Sequence, residues 1–293
     1  MRPEPYRVIV KLTKTRYFCL VAGRGHQSPK GCDASAYSSF AVTVDVVILT
    51  MVDGRLNVLL VRRHADPYSD AWALPGGFKR TDETLDQAAA RELREETGVV
   101  APKHLAQFGA YGDPGRDPRT NVVTVAYLAV TPDVGEIIAG SDADDAQLWP
   151  VADAVSQLEL AFDHHQILAD AVERAADQLE QTDLATAFVG PTFTLSELQN
   201  VYEELWDADI DSANFRRSLS TPPPAPAAAP AITRTLKESP PAPAAYVEAT
   251  GERADSGPRG GRPPELFRAG SAWQAQPPLR RPRGLRSKRR RDD

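Results

Sequence analysis

Residues 77–99, GFKRTDETLDQAAARELREETGV, constrain this chain more than any other stretch. Thr84 followed by Gln87 is a capping-box signature, and Gly98 supplies a left-handed stop for the helix between them. On such a helix Glu92, Glu95 and Glu96 fall within an arc of about 100°. Three carboxylates on one face repel one another unless a cation lies among them. Hard oxygen donors select Mg2+ or Mn2+, and the stretch has neither His nor Cys to favour zinc. A cation held there can clamp a diphosphate, polarise phosphorus and lower the pKa of an attacking water. Arg91 can orient Glu92 by a two-point hydrogen bond, and Gly76 and Gly77 let backbone approach a ligand closely. The plainer reading is a solvated Glu/Arg helix held by neighbouring ion pairs. That reading leaves the two glycines and Glu83 at their spacing unexplained.

The flanking patterns predict an α/β domain over about 39–155. Phe40, Val42, Val44, Val46 and Ile48 alternate as in a strand, Asp53–Gly54 is a turn, and Val58–Val61 completes a hairpin. Further strands are expected at 105–111, 122–130 and near 147–151. Ile167, Leu168, Ala171, Val172, Ala175 and Leu179 lie on one face of a helix over 163–181. Residues 182–220 read as three short helices: Leu184–Val189 before Gly190–Pro191, then Leu195–Trp206 behind a Thr194/Glu197 capping box, then Ser212–Ser218. Such a run fits a helix-turn-helix and also any small helical bundle.

The formal net charge of −6 conceals an asymmetry. From Arg216 onward there are 16 Lys/Arg and 7 Asp/Glu, a balance of +9, against 18 and 33 before it, a balance of −15. Of 25 prolines, 14 follow residue 215. A basic end on an acidic body fits a polyanion partner or a solvated tail. Residues 221–245 are Pro/Ala-rich and predict an extended disordered insertion; Tyr246–Val247 and Leu266–Phe267 flank an Arg/Gly-rich stretch readable as a hairpin. The 1–38 segment lacks a sustained period and is read as an accessory or disordered extension. No apolar run approaches the length of about 20 residues that spans a bilayer. The two cysteines, Cys19 and Cys32, exclude a disulfide scaffold and suit the cytoplasm, as does the lack of a secretory signal.

Gly77, Glu83, Arg91, Glu92, Leu93, Glu95, Glu96, Gly98 and Val99 match the Nudix box, G-x5-E-x7-R-E-U-x-E-E-x-G-U with U apolar, at every position. The chain thus resembles the Nudix hydrolases. The segments YGDPGRDPRTNVVTVAYLAV (111–130), FDHHQIL (162–168), FTLSELQNVYEELW and NFRRSL narrow the resemblance to the Nudix-related transcriptional regulators of NAD metabolism and their ADP-ribose pyrophosphatase relatives. The resemblance implies an α/β/α sandwich with a mixed sheet (39–160), a linker helix and helix-turn-helix (161–220), a wing (246–270) and a disordered basic tail (271–293). It implies hydrolysis of a nucleoside diphosphate linked to another group, with ADP-ribose as the effector that releases double-stranded DNA. Carried over by motif position, Glu92 and Glu96 are principal ligands of Mg2+ or Mn2+, Glu95 assists, and Glu83 binds through water. In ADP-ribose-cleaving relatives a separate acidic loop can supply the general base, and Asp142, Asp144 and Asp145 are placed for that by location. The short and basic side chains Ser212, Asn214, Arg216 and Arg217 suit a recognition helix, and Arg253, Arg259, Arg262 and Arg268 suit a wing. His164 and His165 fit the start of the linker helix better than a metal site. A homodimer on a palindromic operator is expected. The alternative is a Nudix hydrolase whose helical part is a cap or dimer surface without a DNA role.

Overall fold

The computed structural model describes residues 38–100, 102–135, 137, 143–220, 245–255, 262–275 and 278–282. Contacts divide the chain into Met1–Ser39 and Phe40–Asp293, and the second unit holds everything that follows. Residues 1–37 of the accessory extension, residues 221–244 of the 221–245 Pro/Ala insertion and residues 283–293 lie outside the described residues.

Among the described residues, seven strands form one mixed sheet. Strand β1 (Ala41–Val52) turns through Asp53 and Gly54, at φ 49° and 76°, into β2 (Arg55–Arg63). Two successive positive φ values are what a twisted two-residue hairpin requires, and Gly54 meets that need without strain. The sheet then collects β3 (Trp72–Ala73), β4 (Gly76–Phe78), β5 (His104–Tyr111), β6 (Val122–Val130) and β7 (Ala143–Pro150). Strand β1 runs parallel to β6 and antiparallel to β2 and β4. The alternation in β1 suggests a half-exposed strand, yet residues 43–50 are buried on both faces, because helices cover both sides of the sheet's centre.

Helix α1 (Leu85–Thr97) has both halves of the Thr84/Gln87 capping box, and Gly98 closes it at φ 74°. Its buried Ala88, Ala89 and Leu93 pack on Val44, Val46 and Ile48. Helix α2 (Val151–Gln157), absent from the sequence expectations, follows β7 directly. Helix α3 (His164–Leu179) covers the opposite face of the sheet. This gives an α/β/α sandwich.

The core on that face does not stop at α3. It runs from Val47, Leu49 and Leu60 through Ile167 and Leu168 to Tyr202, Trp206 and Phe215 in helices α4 (Leu195–Trp206) and α5 (Ser212–Ser220). The first of the three expected helices is a 3₁₀ turn, Leu184–Phe188: five residues are too few to repay α-helix nucleation. Strands β8 (Val247–Arg253) and β9 (Glu265–Ala269) form the expected hairpin. Despite the insertion preceding it, the hairpin docks: Phe193 exchanges backbone bonds of 2.8 and 2.7 Å with Phe267, and the Tyr202 and Tyr246 hydroxyls lie 2.9 Å apart. An isolated two-stranded hairpin is marginal in water, so this docking is what stabilises it.

The tail reading needs correction. Residues 271–275 and 278–282 are not a free basic end. Ala275 is buried, Leu279 packs against the core, and Arg281 N donates to Glu180 Oε1 at 2.6 Å.

Candidate active site and nucleic-acid face

Strand β4 brings the Nudix-box glycines to the sheet, with Gly77 opposite Val44 and Gly76 opposite Asp45. The absence of side chains here is a steric requirement. A Cβ on Gly77 would lie 2.4 Å from Glu92 Oε1, and one on Gly76 would lie 2.3 Å from Val44 O. The Gly76 N–H donates to Glu96 Oε2 at 2.9 Å, tying the strand to the end of α1.

Arg91 occupies the centre of the acidic face. Its Nε and Nη2 donate to Glu83 at 2.9 and 2.7 Å, Nη1 donates to Glu92 at 2.6 Å and to Glu95 at 3.1 Å, and Nη2 also reaches Phe78 O at 3.1 Å. The expected two-point bond to Glu92 is therefore made to Glu83 instead. Successive residues on a helix point about 100° apart, so one guanidinium nitrogen reaches Glu92 while the planar fork faces the preceding loop. The cation that relieves repulsion among the carboxylates is, in the first instance, Arg91 itself. Hydrogen bonds from Arg91 and from the Arg80 amide hold the Glu83 carboxyl down to about 2, and the Glu83 bonds raise the Arg91 pKa in turn. Burial raises the Glu92 carboxyl, only partly offset by Arg91.

These groups line one side of a cleft of about 600 Å³. Its other side is basic and aromatic. Arg116 donates to both oxygens of Asp163, at 2.8 and 2.6 Å, and lies 3.5 Å from Asp45. Burial acts against its charge, but the Asp163 hydrogen bonds and the nearby Asp45 outweigh this and raise its pKa. Arg119 pairs with Asp117 at 3.0 and 2.7 Å and sits over the rings of Phe78 and Phe162. Arg63 lies 4.9 Å from the Phe162 centroid, its pKa lowered by burial and then by the charge of Arg119. Two arginines that oppose each other's charge favour an anion between them. Phe162 holds φ 54°, outside the usual range for a bulky residue.

His164 opens α3, as the sequence suggests, and is buried, which lowers its pKa. Its Nδ1 accepts from Leu74 N at 2.9 Å, which places the ring proton on Nε2, 3.6 Å from Asp45 Oδ1. The sequence reasoning missed Asp45, Arg63, Asp117 and Phe162 as cleft residues. Two segments quoted for their family likeness contain Asp117 (RDPR, 116–119) and Phe162 (FDHHQIL, 162–168), and nothing in the sequence singled out Asp45 or Arg63. The acidic stretch expected as a loop is in part a strand. Asp144 and Asp145 belong to β7, where Asp145 stands opposite Arg62 in the strand register and its carboxylate accepts from the Ala146 N–H, and Asp142 lies outside the described residues.

The donor chemistry of the carboxylate face fits a hard divalent cation. Glu92, Glu95 and Glu96 share the cleft and offer oxygen only. Among the described residues, no three acidic, His or Cys groups stand together as a metal cage.

The helical part presents a second surface. Helix α5 buries Phe215 and Leu219 and exposes Ser212, Asn214, Arg216 and Arg217. Asp211 caps the Asn214 N–H at 2.8 Å, and Arg217 donates to Asn214 Oδ1 at 2.9 Å. The turn before it is held by Gln199 donating to Ile210 O and Ile210 N donating to Glu203, both within 3.0 Å. On the wing Arg262 is exposed, Arg253 bonds Pro263 O, and Arg268 is drawn into an ion pair with Glu248 at 2.9 Å. Arg259 lies outside the described residues.

A NUDIX domain model matches residues 39–171, and a model of the NrtR DNA-binding winged helix domain matches residues 185–221. The ADPR responsive transcriptional repressor NtrR of Acinetobacter baylyi is 36% identical over 189 residues, covering 63% of this chain and 74% of that protein. An ADP-ribose pyrophosphatase of Methanocaldococcus jannaschii is 39% identical over 132 residues, covering 44% of this chain and 72% of that protein. The crystal structure of Shewanella oneidensis NrtR complexed with a 27mer DNA superposes with a TM-score of 0.62 at 33% identity, covering 78% of this chain and 93% of that one. Fold and cleft together define a Nudix-domain protein carrying a winged helix-turn-helix. The chain belongs to the NrtR family of such regulators. No helix among the described residues is long and apolar enough to cross a membrane.

Proposed function

We propose that this protein is an ADP-ribose-responsive transcriptional regulator that binds double-stranded DNA through its winged helix and hydrolyses ADP-ribose, or a related nucleoside diphosphate derivative, in its Nudix cleft. The observation that carries this reading is the single core joining the cleft's sheet to the exposed basic helix α5. A ligand in the first can therefore bias the second. Genes of NAD metabolism are the target class that the family likeness implies.

In the cleft, Glu92, Glu95 and Glu96 would hold Mg2+ or Mn2+. When bound, the cation supplies charge neutralisation at the diphosphate and a lowered pKa for the attacking water. Arg91 keeps Glu92 and Glu95 in place, and Glu83, with both oxygens already engaged, holds Arg91. Gly76 and Gly77 let the ligand lie against the strand. Arg63 and Arg119 balance the negative charge on the far side. In the reaction water loses a proton to solvent as its oxygen bonds phosphorus, the bridging P–O bond breaks with its electron pair on the departing phosphate oxygen, and AMP and ribose 5-phosphate leave. Ser212, Asn214, Arg216 and Arg217 read the major groove while Arg262, with Arg259, contacts phosphates. A homodimer places two such helices about one DNA turn apart.

The deciding experiment measures binding to promoter-region duplex with and without ADP-ribose, together with Mg2+-dependent AMP release. Salt-sensitive, sequence-preferring binding weakened by ADP-ribose is expected. A chain that releases AMP but binds no DNA is a hydrolase with a helical cap. A chain whose DNA binding responds to ADP-ribose without AMP release is a pure sensor.

A further inference from the structure

Helix α3 ends in acid where a helix C-terminus favours base. Glu173, Asp177 and Glu180 crowd its final turns with no basic residue in the last one, and the partial negative charge of the helix end adds to theirs. The missing cations come from the chain beyond the wing. After Gly270, which donates to Tyr246 O at 2.9 Å, Gln274 Nε2 donates to Glu180 O at 2.6 Å. Arg281 N donates to Glu180 Oε1 at 2.6 Å, Arg280 reaches the other Glu180 oxygen at 3.2 Å, and Arg281 Nη1 donates to Glu173 at 2.5 Å. The opposite end of α3 lies in the Nudix cleft, where Asp163 takes both hydrogen bonds from Arg116. One helix is thus gripped at one end by the cleft and at the other by the continuation of β9.

We propose that this strap, Gly270–Ala275 with Pro278–Pro282, is the link by which a ligand in the cleft repositions the wing, with Arg280 and Arg281 as its positioning residues. The inference rests on the ADP-ribose-responsive reading above. An anionic ligand competes with Asp163 for Arg116. A helix of 16 residues is about 24 Å long and moves as a unit, so a shift at Asp163 is delivered to Glu180 and, through the strap, to β9. The polar supports of the wing, Phe193 with Phe267 and Tyr202 with Tyr246, hold it to the helix-turn-helix, while Tyr246, Val247 and Phe267 share the apolar core.

The test compares the full-length chain with Arg280→Ala/Arg281→Ala by fluorescence anisotropy on a promoter-region duplex, with and without ADP-ribose, and by calorimetry of ADP-ribose binding. ADP-ribose should weaken DNA binding of the parent chain by about tenfold or more, within the usual range of coupling between sites. In the double variant the shift should fall to about threefold or less, with ligand-free DNA affinity and ADP-ribose affinity each kept within about threefold. A purely structural role would instead lower both affinities and leave their ratio alone. Charge reversal is the control: Glu173→Arg or Arg281→Glu alone loses response, and the two together recover it. A full parental shift in the double variant overturns the strap's role while the regulator reading stands. No shift in the parent chain overturns the regulator reading and this inference with it.

Discussion

Arg91 and Glu83 meet in a two-point ion pair, Nε to Oε2 at 2.9 Å and Nη2 to Oε1 at 2.7 Å, and this pair rather than an Arg91–Glu92 pair organises the acidic face. A carboxyl whose pKa is depressed by folding stabilises the fold above its unfolded value, and that contribution is lost as pH falls through the folded value. Glu83, held at about 2, should stay ionised throughout mild acid. Carboxyl-carbon NMR titration should show this, and Arg91→Gln should return Glu83 to the ordinary carboxylate range. An unchanged Glu83 titration in that variant would break the assignment of the pair.

Glu92 behaves in the opposite sense. Burial raises its pKa, so its contribution to stability is present below the unfolded value and is lost as pH rises through the folded one. A divalent cation should offset that loss near neutrality and do little in acid. At about 100 times its Kd it adds about 2.7 kcal/mol. Thermal melts with and without Mg2+ at the two pH values check this, and Glu92→Gln should shrink the neutral-pH gain.

The two glycines should fail differently. The Gly76 Cβ meets backbone at Val44 O, which cannot yield, so Gly76→Ala should cost about 1–3 kcal/mol in chemical denaturation. The Gly77 Cβ meets the far end of the Glu92 side chain, which can swing away. Gly77→Ala should therefore fold with near-parental stability yet lose Mg2+ affinity and AMP release. Equal denaturation midpoints for both variants would contradict this contrast.

Sheet and winged helix share a core, so the described body should unfold in one cooperative step. Trp206 is fully buried and its Nε1 donates to Ala176 O at 3.0 Å. Trp206→Ala should cost about 3–5 kcal/mol. Calorimetry should show one transition moving to lower temperature; a Nudix transition left in place beside a lost one would show that the halves are independent.

On the DNA face, Arg216→Ala should weaken binding to all sequences and reduce the slope of log K against log salt by about 1 if it contacts phosphate. If instead it reads a base edge, discrimination at one operator position should fall while the slope stays. Titrations at several salt concentrations on matched and mismatched duplexes separate the two.

What could be read from the sequence was local. The Thr84 and Thr194 capping boxes, the Gly98 stop, the Asp53–Gly54 turn and the apolar face of α3 each depend on residues a few positions apart, and all are found as expected. The Nudix-box carboxylates and the helix-turn-helix followed from such spacings and from family likeness. Ends of elements were less legible. Strand β2 extends beyond Val58–Val61 to Arg55–Arg63, and α2 has no cap signal, since Pro150 in front of it offers no side-chain hydrogen bond.

By itself, then, the sequence determined the identity of the acidic helix, its start and stop, and the order of the two folded parts, because backbone capping and periodicity act over one or two turns. Tertiary structure alone decided which charge meets which. Arg116 finds Asp163 across 47 positions and Asp45 across 71. Arg91 makes its two-point bond to Glu83 and a single bond to its neighbour Glu92, and the basic tail's first arginines find the acidic end of α3. Those choices follow from strand register and from where buried surfaces pack, and for the long-range pairs no short window along the chain contains both partners.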